Sequence, residues 1–229
     1  MANAIIYGPS GAGKTVNSTM VRTGKRGRNL LLNSDNSHVV LKNFKRDNLD
    51  VEVVGKWMDK DNTGKPQDNF IKQFERAVAA DKYDNIIVDN VSDIFDMAIL
   101  EMEASGKYKD MRQAYQQVYM QLKRLAREAG RVNTNVIFTA WHNQEPIVLP
   151  DGTQQMRVSP KLPMKILDNF IGLCNVCAYL TKAEKDGQQI YYYVTGGSPT
   201  LYAKDQLYCR ASCMPEDIFT EPKKQENKQ

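Results

Sequence analysis

An α/β fold is predicted for this chain of 229 residues: a mostly parallel sheet flanked by helices, with antiparallel hairpin strands toward the C-terminus. Three observations predict it. A short apolar run, NAIIYG (3–8), stops at a glycine and leads straight into GPSGAGKT (8–15), a glycine-rich turn before a helix-forming segment. Further short apolar runs then alternate with segments of helical periodicity, the pattern of parallel strands joined by helical crossovers. Late in the chain, Asp151-Gly152 and Asp186-Gly187 each separate two extended runs, and Asp-Gly is a favoured pair for tight hairpin turns.

The elements follow in order. NAIIYG is a buried strand, and a helix is expected from Lys14 to about Gly24. NLLLNSD (29–35) is a second buried strand and VEVV (51–54) a short third. WMDKDNTGKPQD (57–68) has the Gly, Pro, Asp and Asn content of a loop. NFIKQFERAVAA (69–80) places Phe70, Ile71, Phe74 and Ala77 or Val78 on one helical face, and YDNIIVDN (83–90) is the next strand. Two helical stretches meet near Gly106. In the second, Met111, Tyr115, Val118, Leu122, Leu125 and Ala129 line one face, and Gly130 stands where a capping glycine is expected. NTNVIFTAWH (133–142) is another buried strand, followed by the two hairpins.

Hydrophobic content of 41% and charged content of 25% are those of a soluble globular protein. No apolar run approaches the ~18 residues of a membrane span, so no membrane partner is expected. Four cysteines without a secretion signal point to a reducing cytoplasm and free thiols. The net charge of +4 permits contact with a polyanion without demanding it. With no repeat and no linker, residues 1–220 read as one domain and 221–229 as a polar, disordered tail.

GPSGAGKT fits the phosphate-binding pattern G-x-x-x-x-G-K-[ST] at every specified position. Gly8, Pro9, Ser10, Gly11, Ala12 and Gly13 form the loop, in which Gly8, Gly11 and Gly13 let backbone N–H groups converge on phosphate oxygens without a Cβ in the way. Lys14 reaches the β- and γ-phosphates, and the Thr15 hydroxyl ligates Mg²⁺. The expected ligand is therefore ATP with Mg²⁺. Asp89, closing the apolar run IIVD, is the second magnesium partner. The next position, Asn90, is an amide and cannot be a general base at neutral pH, so the base must come from elsewhere. Asp35, at the end of the neighbouring strand, is the candidate, because parallel strands deliver their C-terminal ends to one crevice. A turn cap among Asn33, Ser34 and Asn36 is the competing role for it. His142, ending the strand VIFTAWH at the same sheet edge, is a candidate γ-phosphate sensor; a purely structural histidine is the alternative.

The early P-loop, the carboxylate after the second strand, IIVDN, VIFTAWH, SPKLPMKILDNFIG (159–172) and YVTGGSPTLYAKD (193–205) together resemble the minimal RecA-like ATPases of bacteriophages, which include ATP-dependent single-strand annealing proteins. The resemblance spans roughly residues 3–210. It implies a RecA-like P-loop core, ATP and Mg²⁺, recombination on single-stranded DNA, a ring or filament of identical subunits, a single-strand DNA-binding protein as a further partner, and the host-cell cytoplasm as the location. It also implies a cation acting across the subunit junction, for which Lys204 in LYAKD stands available. Two positions depart from the family: Asp35 stands where a glutamate is usual, and Gln206 where an arginine commonly follows AKD.

The resemblance also implies that DNA is held by the segment after the sensor position, from Asn143 to Lys165, which carries Arg157, Lys161 and Lys165. Two other basic groups, RTGKRGR (22–28) and Lys123, Arg124, Arg127 and Arg131 of the long helix, have no such tie to the nucleotide, and the helical set reads as a solvated face. Cys174-x-x-Cys177 and Cys209-x-x-x-Cys213 have zinc-compatible spacings, yet GLCNVCAYL is an apolar strand without the turn a zinc knuckle needs, which favours buried thiols. Two other functions remain open. GPSGAGK also suits a nucleoside monophosphate kinase, and an ATP-switched helicase-loading module requires no hydrolysis.

Overall fold

Ten strands build the sheet of the computed structural model, which describes residues 1–44, 46–61 and 63–222. They are β1 (Asn3–Gly8), β2 (Asn29–Asn33), β3 (Leu49–Val53), β4 (Asn85–Asp89), β5 (Asn135–Val148), β6 (Gln154–Pro160), β7 (Val176–Lys185), β8 (Gln188–Val194), β9 (Lys204–Asp205) and β10 (Ser212–Cys213). The sheet runs β10-β8-β7-β1-β5-β4-β2-β3, and its centre from β7 to β3 is parallel throughout. Antiparallel β8, β9 and β10 extend it beyond β7, as the late hairpins predict. β5 outruns its parallel neighbours and turns back on β6, so this second hairpin projects from the edge where the P-loop lies.

The parallel strands read as continuous apolar runs because both faces are covered. Leu30, Leu31 and Leu32, like Ile86, Ile87 and Val88, are fully buried, and alternate residues enter opposite cores. One core takes Ile5, Leu30, Ile86 and Phe138 together with side chains of α2 (Phe70–Ala79), α3 (Val91–Ala104), α4 (Met111–Ala129) and α5 (Met164–Leu173). The other takes Ile6, Leu31, Ile87 and Ile137 with Val21 and Ile218.

Three local expectations are corrected. The helix after the P-loop, α1, covers only Lys14–Ser18 rather than reaching Gly24. The Thr19 hydroxyl donates to the Val16 carbonyl, the acceptor that the next α-turn would use, and the Met20 N–H donates to Asn17 O at 3.1 Å instead. In α4, Ala114 is buried instead of Tyr115, which stays 38% exposed. Gly130 closes α4 with a right-handed φ of −80°, so no left-handed cap forms there. The hairpin turns do use positive φ, at Gly152, Asp186 and Gly187. Of the expected tail, residues 223–229 lie outside the described residues.

Candidate nucleotide site

Because β1 and β4 flank β5, the P-loop and Asp89 converge from either side over the end of one strand. Gly11 and Gly13 adopt φ of +73° and +86°, a region closed to most side chains. A Cβ on Gly13 would also stand 3.0 Å from the Asn17 amide nitrogen. Among the described residues no side chain caps α1, which leaves its first N–H groups available to an anion. Lys14 folds back over the loop and donates to the carbonyls of Gly8 (3.0 Å) and Pro9 (2.8 Å). Burial lowers its pKa, opposed by the nearby carboxyl groups of Asp89 and Asp35.

Asp89 is the hub. The Thr15 hydroxyl donates to its Oδ2 at 2.7 Å, as does that of Ser37 at 2.7 Å, while the Thr139 hydroxyl donates to Oδ1. Burial pushes this carboxyl up from the ordinary aspartate range, opposed by those three hydroxyls. A buried carboxylate flanked by hydroxyl oxygens is a hard-oxygen donor set, and beside a glycine cradle lined with free N–H groups it suits Mg²⁺ and a polyphosphate. Thr15 and Asp89 would hold the metal, and Gly11, Gly13 and Lys14 the phosphates.

Asp35 lies on the wall of the same cavity, which measures about 260 Å³. The Asn90 side chain donates to its Oδ2 at 2.6 Å, the Ser37 backbone N–H to its Oδ1 at 3.0 Å, and Asn33 to Oδ1 at 3.2 Å. Asn90 can hold that position because it caps α3, accepting the Asp93 N–H at 2.8 Å. The amide at the position after Asp89 thus touches the carboxylate that the sequence suggested in its stead.

His142 does not line the cavity; Trp141 does. The alternation of β5 decides this, since Thr139 and Trp141 share one face while His142 follows Phe138 and Ala140 toward the other. Lys204 sits within β9 opposite Cys177, two strands from β1, with its ammonium 3.4 Å from the Gly172 carbonyl. Arg157 is paired across the hairpin with Glu145 and lies over the Tyr202 ring. Lys161 lies 4.7 Å over the Trp141 ring and 3.6 Å from Asp96, and its backbone N–H donates to the Trp141 carbonyl at 2.7 Å. Lys165 lies apart, beside α4.

Sequence reading missed Ser37, Asn33, Thr139 and Trp141. A hydroxyl inside the apolar run VIFTAWH was the available signal for Thr139. Ser37 carried none, because NSDNS reads as an ordinary turn until Asp89 is placed above it. The cysteines divide between the faces: Cys174 and Cys177 are buried in the core beneath the helices, whereas Cys213 packs against the opposite core.

Three solved structures are similar to the chain at a low level. A KaiC-like protein of the archaeon Pyrococcus horikoshii has 14% identity and a TM-score of 0.45 over 84% of this chain and 77% of its own. The flagellar accessory protein FlaH of Methanocaldococcus jannaschii has 11% identity and a TM-score of 0.46 over 92% and 83%. An ATPase from the type III secretion system of pathogenic bacteria has 18% identity and a TM-score of 0.48 over 79% of this chain and 51% of its own. A search of curated sequences found no match. The model of the AAA domain family matches residues 2–207, nearly all of the α/β core around the P-loop and Asp89, and the chain belongs to that family of P-loop ATPases.

Proposed function

We propose that the chain is an ATPase that acts on single-stranded DNA in recombination, working as an assembly of identical subunits. The observation that carries the hydrolytic part is the Asp35 carboxylate, held by Asn90 at 2.6 Å on the wall of the cavity that Lys14, Thr15 and Asp89 also line. When bound, ATP·Mg²⁺ supplies the labile phosphoanhydride bond and the charge neutralisation that phosphoryl transfer needs.

The chain's own residues do the rest. The N–H groups of the loop and Lys14 bind and orient the phosphates, which requires Lys14 to leave its resting carbonyls. Thr15 and Asp89 position the metal, and Ser37 and Thr139 hold Asp89 in one rotamer. Asp35 accepts a proton from water as general base, and Asn90 holds the carboxylate in place on the cavity wall. Trp141 rather than His142 faces the nucleotide, so news of its state passes through Trp141 to Lys161 and the hairpin segment that precedes α5. Lys204 is proposed to act in a neighbouring subunit's site, since it lines none in its own.

The resemblance to phage annealing ATPases and the contact between Trp141 and Lys161 support DNA as the partner. The test is ATP turnover with and without single-stranded DNA. Stimulation supports the reading, and turnover indifferent to DNA refutes its DNA-dependent part. Phosphoryl transfer to nucleoside monophosphates would instead establish the kinase reading.

A further inference from the structure

We infer that the groove between α4 and the start of α5 is a binding track for a single-stranded nucleic acid, in which Tyr115 offers a stacking face to a base. The inference rests on the proposed DNA partner and names where it is held. The groove has a volume of about 550 Å³ and is lined by Arg112, Tyr115, Tyr119, Lys123 and Lys165, with three cations and, among the described residues, no carboxylate.

In the sequence these cations belong to two separate sets, one on the long helix and one after the hairpin. The packing of α5 on α4 brings Lys123 and Lys165 to the same groove, where neither forms an ion pair among the described residues. Arg112 is paired with Asp110 at 2.8 Å, but its side chain is 91% exposed, and a phosphate displaces such a partner at little cost. The aromatic part is equally specific. Tyr115 stays exposed although its helix has an apolar face to offer it. Its ring packs tilted against Phe95, 6.2 Å between centroids, and against Tyr119 at 6.1 Å. Phe95 and Tyr119 are themselves stacked, 6.0 Å apart with planes at 15°. A ring held this way loses little freedom when a base stacks on it, and every base has a face to offer.

Cations spaced along a groove with rings between them match a backbone of phosphates carrying unpaired bases. A duplex keeps its base faces covered and cannot use Tyr115. Lys165 follows Lys161 along the short segment that enters α5, and the side chain and backbone of Lys161 both hold Trp141 in the wall of the nucleotide cavity, so chain continuity links the groove to that site.

The test is fluorescence anisotropy of a labelled oligothymidylate with the full chain, titrated at several salt concentrations, with folding of each variant checked by circular dichroism. Tyr115→Leu is expected to weaken binding about ten-fold, while Tyr115→Phe binds like the parent. The double variant Lys123→Gln/Lys165→Gln is expected to lower the slope of log affinity against log salt by about 1.4, near 0.7 for each lost phosphate contact. Duplex of the same length should compete poorly. If the parent binds and these variants bind as well as it does, with an unchanged salt slope, the groove is not the track and the proposed function stands. If the parent does not bind, both fall. Equal competition by duplex, or equal loss in Tyr115→Phe and Tyr115→Leu, overturns the stacking role. Should Tyr115→Leu fail to fold, the two surface lysines decide the matter alone.

Discussion

Replacing Asp35 by asparagine tests the site at its centre with the least structural damage. The carboxylate accepts three hydrogen bonds, from Asn90 Nδ2 at 2.6 Å, the Ser37 N–H at 3.0 Å and Asn33 Nδ2 at 3.2 Å. An asparagine keeps one oxygen, which can still accept from Ser37 and Asn33 on the Oδ1 side. Its new NH₂ group then faces the NH₂ of Asn90, and two donors cannot bond. The structural cost is one hydrogen bond to a charged group, about 1.5–3 kcal/mol. The cavity is open to water, which satisfies both amides and brings the cost toward the lower figure. The domain should remain folded, and nucleotide affinity should change little, because the loop and Asp89 are untouched. Turnover is another matter. An amide accepts no proton at neutral pH, and loss of a general base typically slows reaction by 10²–10⁴-fold. The assay pairs steady-state phosphate release with binding of a fluorescent ATP analogue, both in Mg²⁺. A hundred-fold slower release with unchanged binding is the expected result. Release within three-fold of the parent would refute the base assignment, and parallel loss of binding and release would make Asp35 a structural turn residue.

Lys14→Ala should abolish ATP hydrolysis while leaving the thermal melt of the protein near its parent value, since among the described residues the ammonium donates only to the carbonyls of Gly8 and Pro9. Near-parental turnover in that variant would make the loop ornamental. Arg210→Ala should destabilise the fold by about 3–5 kcal/mol in chemical denaturation, the usual cost of stranding a buried charge, because it leaves Asp205 buried without its 2.6 Å partner. Burial pushes the Asp205 carboxyl up, but Arg210 and the N–H groups of Tyr208 and Leu207 more than reverse this and hold it low. Its contribution to stability is therefore present above the ordinary aspartate pKa of about 3.9 and is lost as the pH falls below it; a denaturation midpoint measured at pH 7 and pH 3 should show the difference between parent and Arg210→Ala shrinking. If Lys204 acts across subunits as proposed, mixing Lys204→Ala with Lys14→Ala protein should restore part of the ATP turnover that each lacks alone, because one junction then has both intact halves. Normal turnover by Lys204→Ala alone refutes a role across subunits.

The sequence by itself determined the elements whose signal is local. GPSGAGKT sits between a strand and a helix because glycines at 11 and 13 permit the positive φ that the loop requires. Leu30–Leu32 and Ile86–Val88 announce parallel strands because only a strand covered on both faces is apolar at every residue. Asp151-Gly152 and Asp186-Gly187 announce hairpins through the same positive-φ chemistry. The tertiary structure decided what depends on residues far apart in the chain. Ser37, Thr139 and Thr15 meet at Asp89 only because β1 and β4 flank β5. Trp141, and not its neighbour His142, faces the cavity, since a strand side chain points to one face or the other and periodicity within an apolar run does not say which. The length of α1 was settled by the Thr19 hydroxyl competing for a helix carbonyl. Tyr115 stayed at the surface because its one-residue neighbour Ala114 meets the core. Lys123 and Lys165 share a groove because α5 packs on α4, and charge clusters acquire a common surface only when the helices bearing them are brought together.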